Sequence, residues 1–113
     1  MKNYDSLKKN SDFQKVYKEG KSKANKYLVM YVLKNDLGIN RLGIQVSKKV
    51  GNSVVRHRLT RLIRESYRLN ANMFNSGLDI VVIARNTAKD RTYYEIESAL
   101  MHLSSIHDIL IGN

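Results

Sequence analysis

The sequence predicts a single α+β domain in which helices pack on one small sheet. Three observations carry that expectation: two segments in which apolar and other residues alternate, segments of helical period that follow capping signals, and one uninterrupted apolar run. A chain of 113 residues, 42% of them hydrophobic, has room for one core, so residues 1–113 are read as one domain.

The elements follow in order. Ser11 with Gln14 three residues on forms a capping-box pattern, after which Phe13, Val16 and Tyr17 share a helical face and Gly20 ends the helix. Residues 27–34 are rich in β-formers, with Tyr27, Val29, Tyr31 and Leu33 on one face and Leu28, Met30 and Val32 on the other, so both faces are expected to be covered. A polar turn, Asn35-Asp36-Leu37-Gly38, leads into residues 41–47, where Leu42, Ile44 and Val46 alternate with polar or small residues. These two strands are expected to pair as a hairpin. Gly51-Asn52-Ser53 offers a cap for a helix over residues 54–70. Gly77 closes the next loop, and the run Ile80-Val81-Val82-Ile83 within residues 79–85 reads as a central strand buried on both sides. Asp79, just before that run, reads as a turn or cap residue rather than a general base. The last helix opens on a second capping box, Thr92 with Glu95, and carries a stripe of Ile96, Ala99, Leu100, Leu103, Ile106 or His107, and Leu110.

Charge speaks most directly about partners. Twenty Lys and Arg against ten Asp and Glu give a net charge of +10 and a pI near 9.9, which calls for a polyanion. Residues 1–34 hold nine lysines against three acids and residues 35–78 eight basic groups against two, whereas residues 79–113 hold three against five. The anion-binding surface is therefore expected from the first two-thirds of the chain. Absence of cysteine excludes disulfides, thiolate zinc sites and a cysteine nucleophile, and suits a reducing cytoplasm. The best candidate for a membrane span, residues 78–84, is too short and holds Asp79, so no membrane association is expected.

The basic groups are sharpest on the helix over residues 54–70. At about 100° per residue, Val55, Leu59, Leu62 and Ser66 fall within one arc beside Ile63 and Tyr67. His57, Arg61, Arg64 and Arg68 fall opposite, with Arg56 and Arg58 on the flanks. A mixed Lys/Glu stripe would read as a solvated face, but here only Glu65 relieves five arginines. Like charges on adjacent turns repel, and arginine suits bidentate recognition of phosphate.

At this segment the chain resembles a known family. Val46-Ser47-Lys48-Lys49-Val50-Gly51-Asn52-Ser53-Val54-Val55-Arg56-His57-Arg58-Leu59-Thr60-Arg61-Leu62-Ile63-Arg64-Glu65 is similar to the signature of the bacterial ribonuclease P protein component, Arg-Asn-Arg followed by Lys-Arg-Leu-Ile-Arg. His57 stands where Asn is usual and Thr60 where Lys is usual; a histidine can still donate a hydrogen bond. Residues 7–17 resemble the family's opening helix, and Ile83-Ala84-Arg85 with Thr92, Tyr93 and Glu95 resemble its closing strand and helix, so the likeness spans essentially the whole chain.

The resemblance implies a two-layer α-β sandwich of order α-β-β-β-α-β-α, with a left-handed βαβ crossover like domain IV of elongation factor G. It implies a cytoplasmic protein subunit of a ribonucleoprotein endoribonuclease, whose partners are ribonuclease P RNA and precursor tRNA, with no obligate protein partner. Arg56, His57, Arg58, Arg61, Arg64 and Arg68 would face the catalytic RNA. A cleft between the first helix and the sheet would take the 5′ leader, with Phe13, Tyr17 and Tyr31 as an aromatic platform and Lys48, Lys49 and Arg85 near strand ends to hold phosphates. No catalytic or metal-binding residue is expected in the protein, which would bind no cofactor alone; Mg²⁺ would act through the RNA. His102 and His107 lie on or beside an apolar helix face and read as structural. A ribosomal-type RNA-binding protein, a DNA-binding module and a stand-alone ribonuclease are the rivals. A DNA reader would want Asn or Gln for base edges, and a ribonuclease a paired general acid and base.

Overall fold

In a computed structural model that describes residues 4–112, eight regular elements follow one another. They are β1 (Tyr4–Ser6), α1 (Asn10–Glu19), β2 (Lys21–Ala24), β3 (Leu28–Lys34), β4 (Asn40–Gln45), α2 (Ser53–Asn70), β5 (Leu78–Ala84) and α3 (Tyr93–Ile106). Single turns of 3₁₀ helix lie at Ala71–Met73 and Asn86–Ala88. The α+β class is as expected, with one strand, β1, added at the start: three residues with only one core-facing side chain, Tyr4, are too few to show alternation.

The five strands form one sheet in the order β1-β4-β5-β3-β2. β4 and β5 are parallel neighbours joined through α2, whereas β3 runs antiparallel to β5. The expected β3–β4 hairpin does not form, because β5 lies between them. Its run from Ile80 to Val82 is fully buried, and an apolar strand of that kind gains most at the sheet centre, paired on both edges. The five residues from 35 to 39 then cross about two strand spacings, roughly 10 Å, which is within their reach. Asn35 steadies this crossing. Its N–H donates to the Gly77 carbonyl at 2.9 Å, its amide donates to Ile39 O at 3.1 Å and to Asp79 Oδ1 at 2.8 Å, and its side-chain oxygen accepts the Leu37 N–H at 2.9 Å.

Alternation along the central strands divides the core. Leu28, Met30, Leu42, Ile80 and Val82 face α2 and α3, while Val81 faces α1 through Leu7, Phe13 and Val16, with Tyr17, Tyr31 and Leu33 packed around them. The body is thus a sheet covered by α2 and α3, with α1 laid on the second face. Where α2 meets the sheet, the buried Tyr67 ring packs edge-on against Tyr4 at 4.8 Å and beside Phe74 at 4.7 Å. Asn40 completes the joint: its amide donates to Tyr67 Oη at 3.0 Å and to Asn75 O at 2.7 Å, and its oxygen accepts the Leu78 N–H at 2.9 Å.

Three helix details differ from expectation. α1 starts one residue before Ser11, with Lys9 at the cap and no side-chain bond there. Asp12 turns its carboxylate to Arg41 at 3.4 Å, and the helix closes on the Gly20 N–H donating to the Val16 carbonyl, where a Cβ would lie 2.6 Å from that oxygen and only glycine fits. The α2 core face is rotated toward Ile63 and Tyr67, leaving Val55 and Leu62 half-buried. α3 keeps its capping box but ends at Ile106, which is exposed; Leu110 lies beyond it, bridged to Phe74. Among the described residues no helix is long and apolar enough to cross a membrane.

Candidate nucleic-acid interface

The helix with most of the arginines is fixed at its start by Asn52, whose side-chain oxygen accepts the Val55 N–H at 3.0 Å. That bond satisfies one of the donors a helix start leaves open. Leu59, Ile63, Ser66 and Tyr67 face the core, and the Ser66 hydroxyl is satisfied within the helix by Leu62 O at 2.7 Å. Helical geometry then puts His57, Arg58, Arg61, Arg64 and Arg68 in solvent, with Arg56 half-buried.

Only Arg68 of these meets a carboxylate among the described residues. Its Nε donates to Glu65 Oε2 at 3.0 Å on the exposed surface. Hydrogen bonding from Arg68, against a smaller desolvation, together with the fields of Arg68 and Arg61, holds the Glu65 carboxyl below its usual range. Arg58 donates to the Arg91 carbonyl at 2.8 Å. Arg61 and Arg64 form no ion pair among the described residues, and with Arg58, Leu62 and Glu65 they border a surface concavity. The Arg61 and Arg64 guanidiniums therefore point outward rather than inward against acids, and their mutual repulsion is left for an external anion to relieve.

A second set of residues gathers around α1. The Phe13 ring lies over Gly43 so closely that a Cβ on Gly43 would fall 2.6 Å from Phe13 Cε1. Tyr17 meets Phe13 at 6.4 Å and stands edge-on to Tyr31 at 5.1 Å. Phe13 is only 9% exposed, so it props Tyr17 from beneath and offers little ring surface of its own. Tyr17 and Tyr31 are half-buried. The Tyr17 hydroxyl is buried without a hydrogen-bond partner, and burial, with Tyr31 adding, pushes its pKa above the ordinary phenol value, so it stays neutral. On the α1 face of the sheet the in-register row Gln45, Ile83, Val29 leaves Ile83 and Val29 half-buried.

α1 is held over this face by charge. Arg41 donates from Nε to Asp79 Oδ1 at 2.8 Å and from a terminal nitrogen to Asp79 Oδ2 at 2.7 Å, and it also reaches Asp12 on α1. Asp79 is therefore a strand residue in an ion pair, 3% exposed, rather than a turn or cap. Burial alone would raise its pKa; the bonds from Arg41 and Asn35 outweigh that and hold the carboxyl below its usual range.

Topology decides where the remaining cations go. Lys48 and Lys49 follow β4, and Arg85 follows β5; because those strands are parallel, all three emerge at one end of the sheet. β3 is antiparallel, so Lys26, just before it, joins them there. Arg91, before α3, reaches the same end through its bond to Arg58. Lys26 and Arg91 are additions to the expected set. Each directly precedes a predicted element, and parallel order, which places such positions, is set by pairing across the sheet. At the opposite end a broad concavity mixes Glu19, Asp36 and Asp108 with Lys21 and Lys34, so the cations there share the surface with acids. The predicted leader set thus divides into an aromatic cluster under α1 and a basic rim at the sheet end.

The histidines sit apart. His107 is half-buried and donates from Nε2 to the Met30 carbonyl at 2.9 Å, and burial holds its pKa below 6.5. His102 is exposed beside Asn25, and His57 lies on the arginine face. Among the described residues no group of three or more His, Asp or Glu side chains is placed to hold a metal ion.

Comparison with known proteins adds a separate line of support. The family model described as Ribonuclease P matches residues 1–107. The ribonuclease P protein component of Lachnoclostridium phytofermentans is 68% identical over 106 residues, covering 94% of this chain and 91% of that protein. The solved RNase P protein of Staphylococcus aureus is 43% identical, with a TM-score of 0.86 over 92% of this chain and 95% of its own. That of Thermotoga maritima is 35% identical, with a TM-score of 0.81 over 88% and 94%.

Proposed function

Since the chain belongs to the ribonuclease P protein family, and so to the removal of the 5′ leader from precursor tRNA, we propose that it works in the cytoplasm through two surfaces. The outer face of α2 holds the ribonuclease P RNA, and the cleft beside α1 holds the leader. The observation that carries this reading is the outward set Arg58, Arg61 and Arg64, which meets no carboxylate among the described residues.

Each phosphate neutralised by such a cation releases condensed counterions, which drives assembly. Planar guanidiniums on successive turns can also match two phosphate oxygens at once. His57, at the signature position usually held by Asn, supplies a hydrogen-bond donor among them. On the other surface, leader bases stack against Tyr17 and Tyr31, which accept any base because every base has a π face. Lys48, Lys49 and Arg85 at the sheet end hold the phosphates between them.

We assign hydrolysis of the phosphodiester to the RNA subunit and its Mg²⁺. Both protein surfaces present cations, which recruit RNA and repel a divalent ion. The protein's part is to lower the cost of bringing leader and catalytic RNA together. Cleavage of a precursor tRNA by ribonuclease P RNA at low Mg²⁺, with and without the protein, tests this. Addition should restore cleavage, the Arg61→Ala, Arg64→Ala double variant should restore it poorly, and equal rates in all three reactions would refute the reading.

A further inference from the structure

A groove beyond the basic rim, sharing only Lys26 with it, lies between the turn at residues 25–27 and α3, bordered by Asn25, Lys26, Tyr27, Tyr94, Ser98 and His102. Tyr94, Ser98 and His102 recur at four-residue spacing, so they share one outer face of α3. Tyr94 is 77% exposed, unusual for a ring that contributes nothing to the core. Its edge-on contact with Tyr93 at 5.5 Å steadies it and leaves most of the ring free.

The polar groups are arranged for an anion. The Asn25 amide donates to Ala99 O at 2.9 Å and meets His102 Nδ1 at 3.1 Å, while the Asn25 oxygen accepts the Tyr27 and Leu28 N–H groups. An amide nitrogen can only donate, so Nδ1 accepts and the proton of neutral His102 sits on Nε2, a free donor. Lys26 and Arg91 lie against the Tyr27 ring at 5.6 and 5.7 Å. One carboxylate borders the groove, that of Glu95, and it is occupied by Thr92, by the Tyr27 hydroxyl at 3.4 Å and by Arg91 at 3.5 Å.

The groove adjoins the basic end of the sheet. Arg85 donates its backbone N–H to Tyr27 O at 2.9 Å and its guanidinium to Asn25 O at 2.5 Å, and the Thr87 hydroxyl bonds Lys26 O. A strand of RNA that leaves the α1 cleft past Arg85 meets this turn next.

We propose that this groove is a second single-strand RNA site, in which a leader nucleotide farther from the cleavage point than those in the cleft stacks on Tyr94 with its phosphate held by Lys26 and His102. The proposal rests on the leader reading above, and the test separates the two. Protein assembled with ribonuclease P RNA is titrated with precursor tRNAs whose leaders lengthen one nucleotide at a time. Tyr94→Ala, which removes an exposed ring and spares the core, should weaken binding of the longest leaders roughly five- to 150-fold, the loss of one stacked base, and leave the shortest unchanged. Tyr94→Phe should bind like the parent. Tyr17→Ala serves as the control, since it should weaken short and long leaders alike. Equal affinity of Tyr94→Ala and parent at every length, while Tyr17→Ala is impaired, would overturn the second site alone. An equal loss at all lengths, or weakened binding of ribonuclease P RNA itself, would overturn it too, because the groove would then serve something other than the distal leader.

Discussion

Replacing Gly43 by alanine should open the leader cleft without touching α2. Gly43 lies mid-strand, outside the positive-φ positions of the chain, so its backbone suits any residue. What it lacks is room: the added Cβ would fall 2.6 and 2.7 Å from Phe13 Cε1 and Cζ and 3.2 Å from Leu7 Cβ. Carbon atoms rest at about 3.5–4.0 Å, so the Phe13 ring, and α1 with it, must retreat by about 1 Å. Overpacking of that kind costs about 1–3 kcal/mol, which lowers the Tm of a domain this size by roughly 5–15 °C. Tyr17 rides on Phe13, so the preference for precursor over mature tRNA should shrink, while affinity for ribonuclease P RNA should hold. Calorimetry and paired binding titrations of the two tRNAs check this, and Phe13→Leu in the Gly43→Ala background should recover part of both losses. An unchanged Tm together with an unchanged leader preference would refute the packing argument.

Other consequences concern stability. Arg41→Ala strands the buried Asp79 carboxylate and should cost about 3 kcal/mol, the low end for a broken buried pair because Arg41 keeps a quarter of its side-chain exposure; urea midpoints at neutral pH measure it, and a loss under about 1 kcal/mol would contradict it. In the parent protein the Asp79 contribution is full above its unfolded pKa near 4 and is lost as pH falls through the lower folded value. His107 acts in a higher window. Its folded pKa lies below the ordinary 6.5, so stability is full above about pH 6.5 and declines as the unfolded chain takes up a proton that the folded chain resists. His107→Gln should flatten that decline in urea midpoints measured from pH 7 down to pH 5, and an unaltered slope would show that other groups set it.

Local chemistry made much of the architecture readable. Thr92 with Glu95 and Asn52 with Val55 are contacts within one turn, so residue types alone locate both helix starts. The apolar run around Val81 likewise marks the sheet's central strand. Strand partners were less legible, because pairing depends on which strand most needs two neighbours: the Asn35 turn looks like a hairpin connection until β5 claims the space between β3 and β4. The expected α1 cap does not form because the helix begins at Asn10, ahead of Ser11, with Lys9 at the cap; Asp12 in its first turn is drawn to Arg41, twenty-nine residues away, and no local pattern announces that. For the candidate sites, the arginine face follows from helical period alone and emerged nearly whole. Lys26, Arg91 and the Tyr94 groove depend on parallel strand order and on a turn folding back to α3, which only three dimensions bring together.

Cations of α2 meeting an RNA backbone are the contact on which both surfaces depend, and the salt dependence of binding to ribonuclease P RNA measures it. The logarithm of affinity should fall linearly with the logarithm of salt concentration, by on the order of a thousandfold between 50 and 200 mM if about six phosphates are engaged. In the Arg61→Ala, Arg64→Ala variant the slope should become shallower by about 2, one for each lost phosphate contact, with the fold intact. A slope identical to the parent's, or no salt dependence in either protein, would contradict the claim.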